Sequence, residues 1–222
     1  MTVILVLATF LVFIVLDYFM NRRKAVVTAL VEAPRGSASG AGEYVGGFRV
    51  PETLSYHPGH SWVARERRNV VRVGADEFAA SLLGKLDKIT LPGRGQWIRQ
   101  GQALFHFFRG GQEAEMVSPT EGEVVEVNGE ILRNPALLRH DPYGSGWLVT
   151  VNVPDEESTN RNLVPKRLIG EWMRDAVDRL YGRQPALAGA AAADGGRPAE
   201  DPAALLPGVD WKDLTGEFFL TA

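Results

Sequence analysis

The chain opens with a long apolar segment that ends in positive charge. Residues 2–16 contain no charged side chain, Asp17 interrupts the run, and Arg22, Arg23 and Lys24 close it. About 20 residues in helical geometry span roughly 30 Å, which is the hydrocarbon thickness of a bilayer. Because cations are retained in the cytoplasm, the pattern predicts a single-pass anchor in the inner, cytoplasmic membrane. Its N-terminus would lie outside, and the soluble domain would lie in the cytoplasm.

Other interpretations of this segment predict a different order of charged and apolar residues. A cleaved signal peptide has cations before its apolar stretch and a small-residue cleavage site after it, and this segment has neither. The periplasmic adaptors of efflux systems also place their cations before the membrane helix, so the charge order argues against that class of protein as well. Asp17 lies near the end of the predicted span, where it either reaches the headgroup region or contacts a polar group on a partner helix. We therefore count Asp17 among the candidate partner-binding residues.

Beyond residue 47, short apolar runs alternate with glycine-rich turns. Strands are predicted at 61–64, 70–73, 89–91, 103–108, 114–117, 123–127 and 147–151, and a short helix at 75–83. Glycines separate most of these runs and mark the turns. Many short strands joined in this way are typical of a small sandwich or barrel, so a mainly β domain is expected.

The C-terminal third has a different pattern. Residues 164–181 predict an amphipathic helix with one broad apolar face, which we expect to cover the domain's own core; a partner surface is the alternative. Residues 184–207 are rich in Ala, Gly and Pro and predict a linker. The segment after it is apolar and is predicted to dock on a partner, folding back on the domain being the alternative. Its candidate partner-binding residues are Trp211, Leu214, Phe218, Phe219 and Leu220.

These patterns predict five segments along the chain. They are an anchor (1–24), a juxtamembrane helix and linker (25–47), a β-rich domain with its C-terminal helix (48–183), a second linker (184–207) and an apolar docking tail (208–222).

Composition narrows the chemistry that the chain can perform. The net charge is −3, so no overall basic field points to nucleic acid. The chain has no cysteine, which excludes disulfides, cysteine-ligated zinc, iron–sulfur clusters and a cysteine nucleophile. We find no pattern typical of a catalytic triad, a nucleotide-binding loop or paired catalytic carboxylates, so no catalytic residue is assigned and the chain is not expected to be an enzyme.

Several short motifs follow one another between residues 48 and 154. They are VPETLSY (50–56), HPGHSWV (57–63), TLPG (90–93), IRQG (98–101), SPTEGEVVEVN (118–128), NPALL (134–138) and DPYGSGWL (141–148). In this order they resemble the glycine cleavage system H protein family, whose members carry a lipoyl group. The resemblance implies the barrel-sandwich hybrid fold of lipoyl and biotinyl domains.

The lysine on which that family's function depends is absent from the matching position. The resemblance places it at Gly111, at a hairpin tip, and places the glutamate that precedes it at Phe108. No lysine occurs between Lys88 and Lys166. Because lipoylation joins lipoate to a primary amine, and a guanidinium is not acylated in the same way, loss of the carrier chemistry is expected. No cofactor is therefore assigned.

The remaining polar candidates have ordinary interpretations. His57 and His60 are spaced for metal binding. The stretch that contains them resembles the segment where the family's chain enters a strand, so no metal site is assigned. His106 alternates with Phe105 and Phe107 and is expected to be a surface or hydrogen-bonded histidine. Arginines at 65, 67, 68 and 72 predict a solvated face, with contact to anionic lipid as the alternative.

Together these features predict a non-catalytic accessory subunit of a larger membrane complex, such as a photosynthetic or respiratory one. In this hypothesis the domain without lipoate docks on the complex's cytoplasmic face, and its partners are the other subunits and the lipid bilayer. The alternative is a membrane-tethered component of a glycine cleavage or other lipoate-dependent system.

Overall fold

The computed structural model describes residues 42–155, 160–183, 201–206, 208 and 210–221. Its strands, in chain order, are β1 (Gly42–Val45), β2 (Phe48–Pro51), β3 (Ser55–Tyr56), β4 (Ser61–Arg67), β5 (Val70–Ala75), β6 (Lys88–Thr90), β7 (Trp97–Ile98), β8 (Ala103–Arg109), β9 (Gln112–Val117), β10 (Gly122–Val127) and β11 (Val149–Asn152). Each strand that the sequence predicts is present, with ends that differ by at most three residues, and the predicted mainly β architecture is confirmed. The strands β1, β2, β3 and β7 were not predicted.

Five helices accompany the strands in the described residues. They are α1 (Glu77–Leu83), α2 (Gly129–Arg133), α3 (Leu137–His140), α4 (Ile169–Gly182) and α5 (Trp211–Phe219), with 3-10 turns at Lys166–Leu168 and Pro202–Leu205. Asp76 fixes the start of α1, because its Oδ1 accepts a hydrogen bond from the Ala79 N–H at 2.8 Å. Gly84 ends the helix at a φ of +66°, which a glycine adopts without steric cost.

The strands form two main antiparallel sheets and one hairpin. The larger sheet has the order β3-β4-β5-β11-β10-β7, the smaller one has the order β6-β8-β9, and β1 pairs with β2. Residues of both main sheets, such as Val73 and Phe105, share one hydrophobic core. The helix α4 adds Met173, Val177 and Leu180 to that core, so its apolar face covers its own domain.

The structure corrects two predicted segment boundaries. Residues 42–45 were expected in the first linker, but they form β1 and pair with β2, and Val45 is buried. Residues 201–206 were expected in the second linker, but they contain the 3-10 turn Pro202–Leu205, and Leu206, which follows it, is only 5% exposed. The second segment has the alanine- and proline-containing composition of a linker, and long-range contacts such as the ion pair of Asp201 with Arg109 order it nevertheless.

The predicted membrane anchor lies outside the described residues, as does Asp17. Within the described part of the chain, no helix has both the length and the apolar content needed to cross a bilayer.

Candidate functional site

The hairpin formed by β8 and β9 carries the position at which the sequence resemblance places the lipoyl lysine. Phe105 and Phe107 of β8 and Ala114 and Met116 of β9 are buried, while the residues between them face outward. This alternation is the one expected for a hairpin with one face on the core.

A two-residue glycine turn closes this hairpin. Arg109 pairs with Gln112, so that Gly110 and Gly111 form the tip, at φ angles of +57° and +82°. Such angles are typical of the tight turns that suit the twist of antiparallel strands. A Cβ atom built on Gly111 has no other atom within 4 Å, and the residue is exposed. The position is therefore open to a partner protein, and it offers no side chain for modification.

Polar contacts hold the tip end of the hairpin against the rest of the domain. The Gly110 N–H donates to Asp87 Oδ2 at 2.7 Å, at the start of β6. The Arg109 guanidinium lies 2.7 Å from Asp201 Oδ2, donates to the Leu83 carbonyl oxygen at 3.3 Å, and lies 5.8 Å from the centre of the Trp211 ring. Residues from three distant parts of the sequence thus fix where the tip stands.

Lys88 lies closer to this hairpin than its sequence position suggests. Because β6 pairs with β8, Lys88 stands opposite Phe108, and its Nζ atom lies 5.4 Å from the centre of the Phe108 ring. The Lys88 side chain is on the exposed face of the smaller sheet. A lysine amine is thus present beside the hairpin, but it lies on a neighbouring strand and not in the turn.

The candidate docking residues of the tail occupy a different environment from the one expected. Trp211, Leu214, Phe218 and Phe219 are each no more than 7% exposed, and they join the domain's own core as one face of α5. Only Leu220 is exposed, at 54%. The tail was expected to grip a partner, and the structure instead folds it back, because the core offers an apolar surface that this helix covers.

The two histidines first considered for metal binding are both buried, and His60 lies among aromatic rings. His60 Nδ1 lies 2.8 Å from Asp76 Oδ2, and its ring stacks between those of Phe78 and Trp172, at centroid distances of 4.3 and 4.6 Å. His57 Nδ1 accepts a hydrogen bond from the Gly59 N–H at 3.0 Å. Burial, and secondly the charge of His60, lowers the pKa of His57 to about 4. His57 is therefore neutral at pH 7 and serves the turn in which it lies.

Sequence reasoning missed two features around the hairpin. The ion pair between Arg109 and Asp201 joins residues 92 positions apart, and no local pattern signals it. The second feature is a convergence of His106, Glu113 and Glu115 on the outer face of the hairpin. The alternation of β8 places His106 on that face, and the two-residue turn sets Glu115 opposite it, so the local hairpin signal could have indicated this cluster.

The family profile and the related sequences agree on one family. A family profile described as "Glycine cleavage H-protein" matches residues 54–176. Two similar proteins, each named glycine cleavage system H protein, come from Coprothermobacter proteolyticus (36% identity, covering 49% of this chain and 85% of the relative) and Carboxydothermus hydrogenoformans (33%, 53% and 89%). A crystal structure of a glycine cleavage system H protein from Mycobacterium marinum is 28% identical, with a TM-score of 0.44, over 50% of this chain and 96% of that one.

These findings overturn the main functional expectation drawn from the sequence. The relatives are named as parts of the glycine cleavage system, and none of those named here is called a structural subunit of a photosynthetic or respiratory membrane complex. Architecture alone suggested such a complex, and architecture is a weak guide to function. The alternative, a component of a glycine cleavage or other lipoate-dependent system, agrees better with the relatives.

Proposed function

This chain belongs to the glycine cleavage H-protein family, and we propose that it serves a glycine cleavage or other lipoate-dependent system as a docking component without lipoate at its hairpin tip. It would present the H-protein surface to the other proteins of that system. It would perform no catalytic step of its own.

The state of the hairpin is the observation that carries this proposal. The β8–β9 hairpin has a regular register beside its turn, and contacts of Arg109 and Gly110 hold the tip end against the rest of the domain. The residue at the tip is Gly111, and no lysine occurs from residue 89 to residue 165. A hairpin that keeps its position but lacks a lysine amine at its tip suits recognition by a partner protein better than it suits the transfer of a lipoyl-bound group.

A membrane location forms a second part of the proposal. The uncharged run at 2–16 and the cations at 22–24 support an anchor that would leave the domain in the cytoplasm. Protease added outside sealed, right-side-out vesicles should then leave the domain intact. Digestion from the outside would contradict this orientation.

The absence of lipoylation can be tested directly by mass. The full-length chain, coexpressed with a lipoyl ligase and supplied with lipoate, is expected to keep its unmodified mass, because the tip offers no primary amine. A lipoyl increment on the wild-type chain would contradict the proposal. Peptide mapping and a Lys88→Arg variant would then show whether the amine beside Phe108 had accepted the group.

Two variants at the tip provide the matched comparison. Gly111→Lys introduces an amine at the tip, and Gly111→Ala introduces a Cβ atom without one. Both place a side chain at a φ of +82°, so both carry the same backbone strain. Any lipoyl increment is expected only in the lysine variant.

The docking part is tested by competition. The unmodified full-length chain is expected to slow turnover by a purified glycine cleavage system, because it would occupy the sites that the lipoylated H protein uses. An excess of the chain that leaves the rate unchanged, and that binds none of the system's proteins, would refute docking in that system.

A further inference from the structure

The outer face of the β8–β9 hairpin gathers three side chains that are common metal ligands. His106 stands opposite Glu115 in the strand register, and Glu113 lies two residues from Glu115, on the same face of β9. Nδ1 of His106 lies 2.8 Å from Glu113 Oε1 and 3.4 Å from Glu115 Oε1. One ligand atom from each residue lies within 4.8 Å of the other two.

The charges in this cluster favour a cation. Two carboxylates on one strand face repel each other, and both approach the same ring nitrogen of His106. That nitrogen carries at most one proton, which it can donate well to only one of the two carboxylates. A divalent ion in place of the proton would contact all three groups and offset both negative charges. We propose that His106, Glu113 and Glu115 bind a divalent transition-metal ion, of which zinc is the reference case.

The ligand types select this class of metal. One imidazole nitrogen and two carboxylate oxygens suit zinc, which accepts both kinds of donor at about 2.0–2.2 Å. Calcium and magnesium prefer sites made of oxygen alone, so they are expected to bind more weakly here. Three protein ligands leave one tetrahedral position for water, as in zinc sites that remain open.

The surroundings leave room for such a water and hold the ligands on a rigid frame. Glu113 and Glu115 also line a cavity of about 190 Å³, whose other wall includes Lys212, Asp213 and Thr221. The Thr221 hydroxyl donates to the Glu115 carbonyl oxygen at 3.3 Å, which fixes the backbone of β9 beside the site. Ligands carried on paired strands are positioned better than ligands on loops.

Few histidines of the chain are accessible to an added metal ion, which makes a metal-binding test specific. The sequence contains four, and His57 and His60 are buried, at 8% and 0% exposure. His106 and His140 are the two that an added metal ion can reach without unfolding the domain. With no cysteine in the chain, a zinc site on the folded domain that includes a histidine must use one of these two.

We would titrate the full-length chain with zinc chloride by calorimetry, and with magnesium and calcium for comparison. The wild type is expected to bind one zinc ion per chain and to bind the other two ions more weakly. His106→Gln and Glu113→Gln are expected to raise the zinc dissociation constant by at least about tenfold, a loss that even an outer-shell change can cause.

The controls are His140→Gln and Glu123→Gln, which change an exposed histidine and an exposed strand glutamate away from the cluster. Both are expected to bind zinc as the wild type does, and circular dichroism checks that every variant is folded. The proposal is overturned if the folded wild type binds no zinc, or if folded His106→Gln and Glu113→Gln keep its affinity and stoichiometry. Loss of zinc binding in His140→Gln would overturn it equally.

Discussion

Replacing Phe218 by alanine should lower the free energy of unfolding by about 3–5 kcal/mol, the range measured when a buried phenylalanine is truncated in a core. Phe218 is 1% exposed, its ring lies 5.1 Å from that of Phe78, and the Arg179 guanidinium lies 5.0 Å from its centre. The side chain therefore joins α5 to α1 and α4, and the cavity left by truncation would open between all three helices.

Leu220→Ala is the matched control for this prediction. Leu220 follows α5 directly and is 54% exposed, so its truncation is expected to change the stability by less than about 0.5 kcal/mol. Urea unfolding of the full-length variants, followed by circular dichroism, gives both values. Equal and small effects of the two substitutions would mean that the tail does not belong to the domain core in solution.

Replacing Asp76 by alanine should lower the free energy of unfolding by about 2–4 kcal/mol, because this carboxylate makes two separate contacts inside the domain. Its Oδ1 caps α1 through the Ala79 N–H, and loss of such a cap costs about 1 kcal/mol. Its Oδ2 is the partner of His60 Nδ1, and both side chains are fully buried. Leaving His60 buried without this partner costs a further amount of about 1–3 kcal/mol.

Asp210→Ala separates these two contributions. Asp210 also caps a helix, through the Lys212 N–H at 2.7 Å, but it is exposed. Its loss is therefore expected to cost only about 1 kcal/mol. Asp76→Asn should recover much of the stability, since its amide oxygen can still accept one of the two hydrogen bonds. If the alanine variants at 76 and 210 unfold at the same urea concentration, the buried pair contributes nothing beyond the cap.

The hairpin shows how far the sequence alone could lead to the candidate site. Mainly apolar runs at 103–108 and 114–117, with two glycines between them, predict both strands and the turn, because these signals are local. The absence of an amine at the tip is a matter of covalent chemistry, and it can be read from the sequence without any structure. The clamp between Arg109 and Asp201 could not be predicted, since it depends on where a distant segment folds.

The tail shows the same difference between what the sequence predicts and what only the folded structure decides. Its apolar residues required burial, and the sequence established that much, because exposing Trp211, Phe218 and Phe219 to water is unfavourable. The sequence could not establish which surface would bury them, since the hydrophobic effect has no direction and accepts any apolar surface of suitable shape.

The sequence by itself determined the mainly β class, seven of the eleven described strands, the family resemblance and the missing lysine, all of which depend on local patterns or on residue identity. The tertiary structure decided that α5 packs on its own domain, that β1 belongs to the domain, and that Arg109 meets Asp201. The physical reason is that these contacts depend on strand register and on helix packing, which the whole chain settles together.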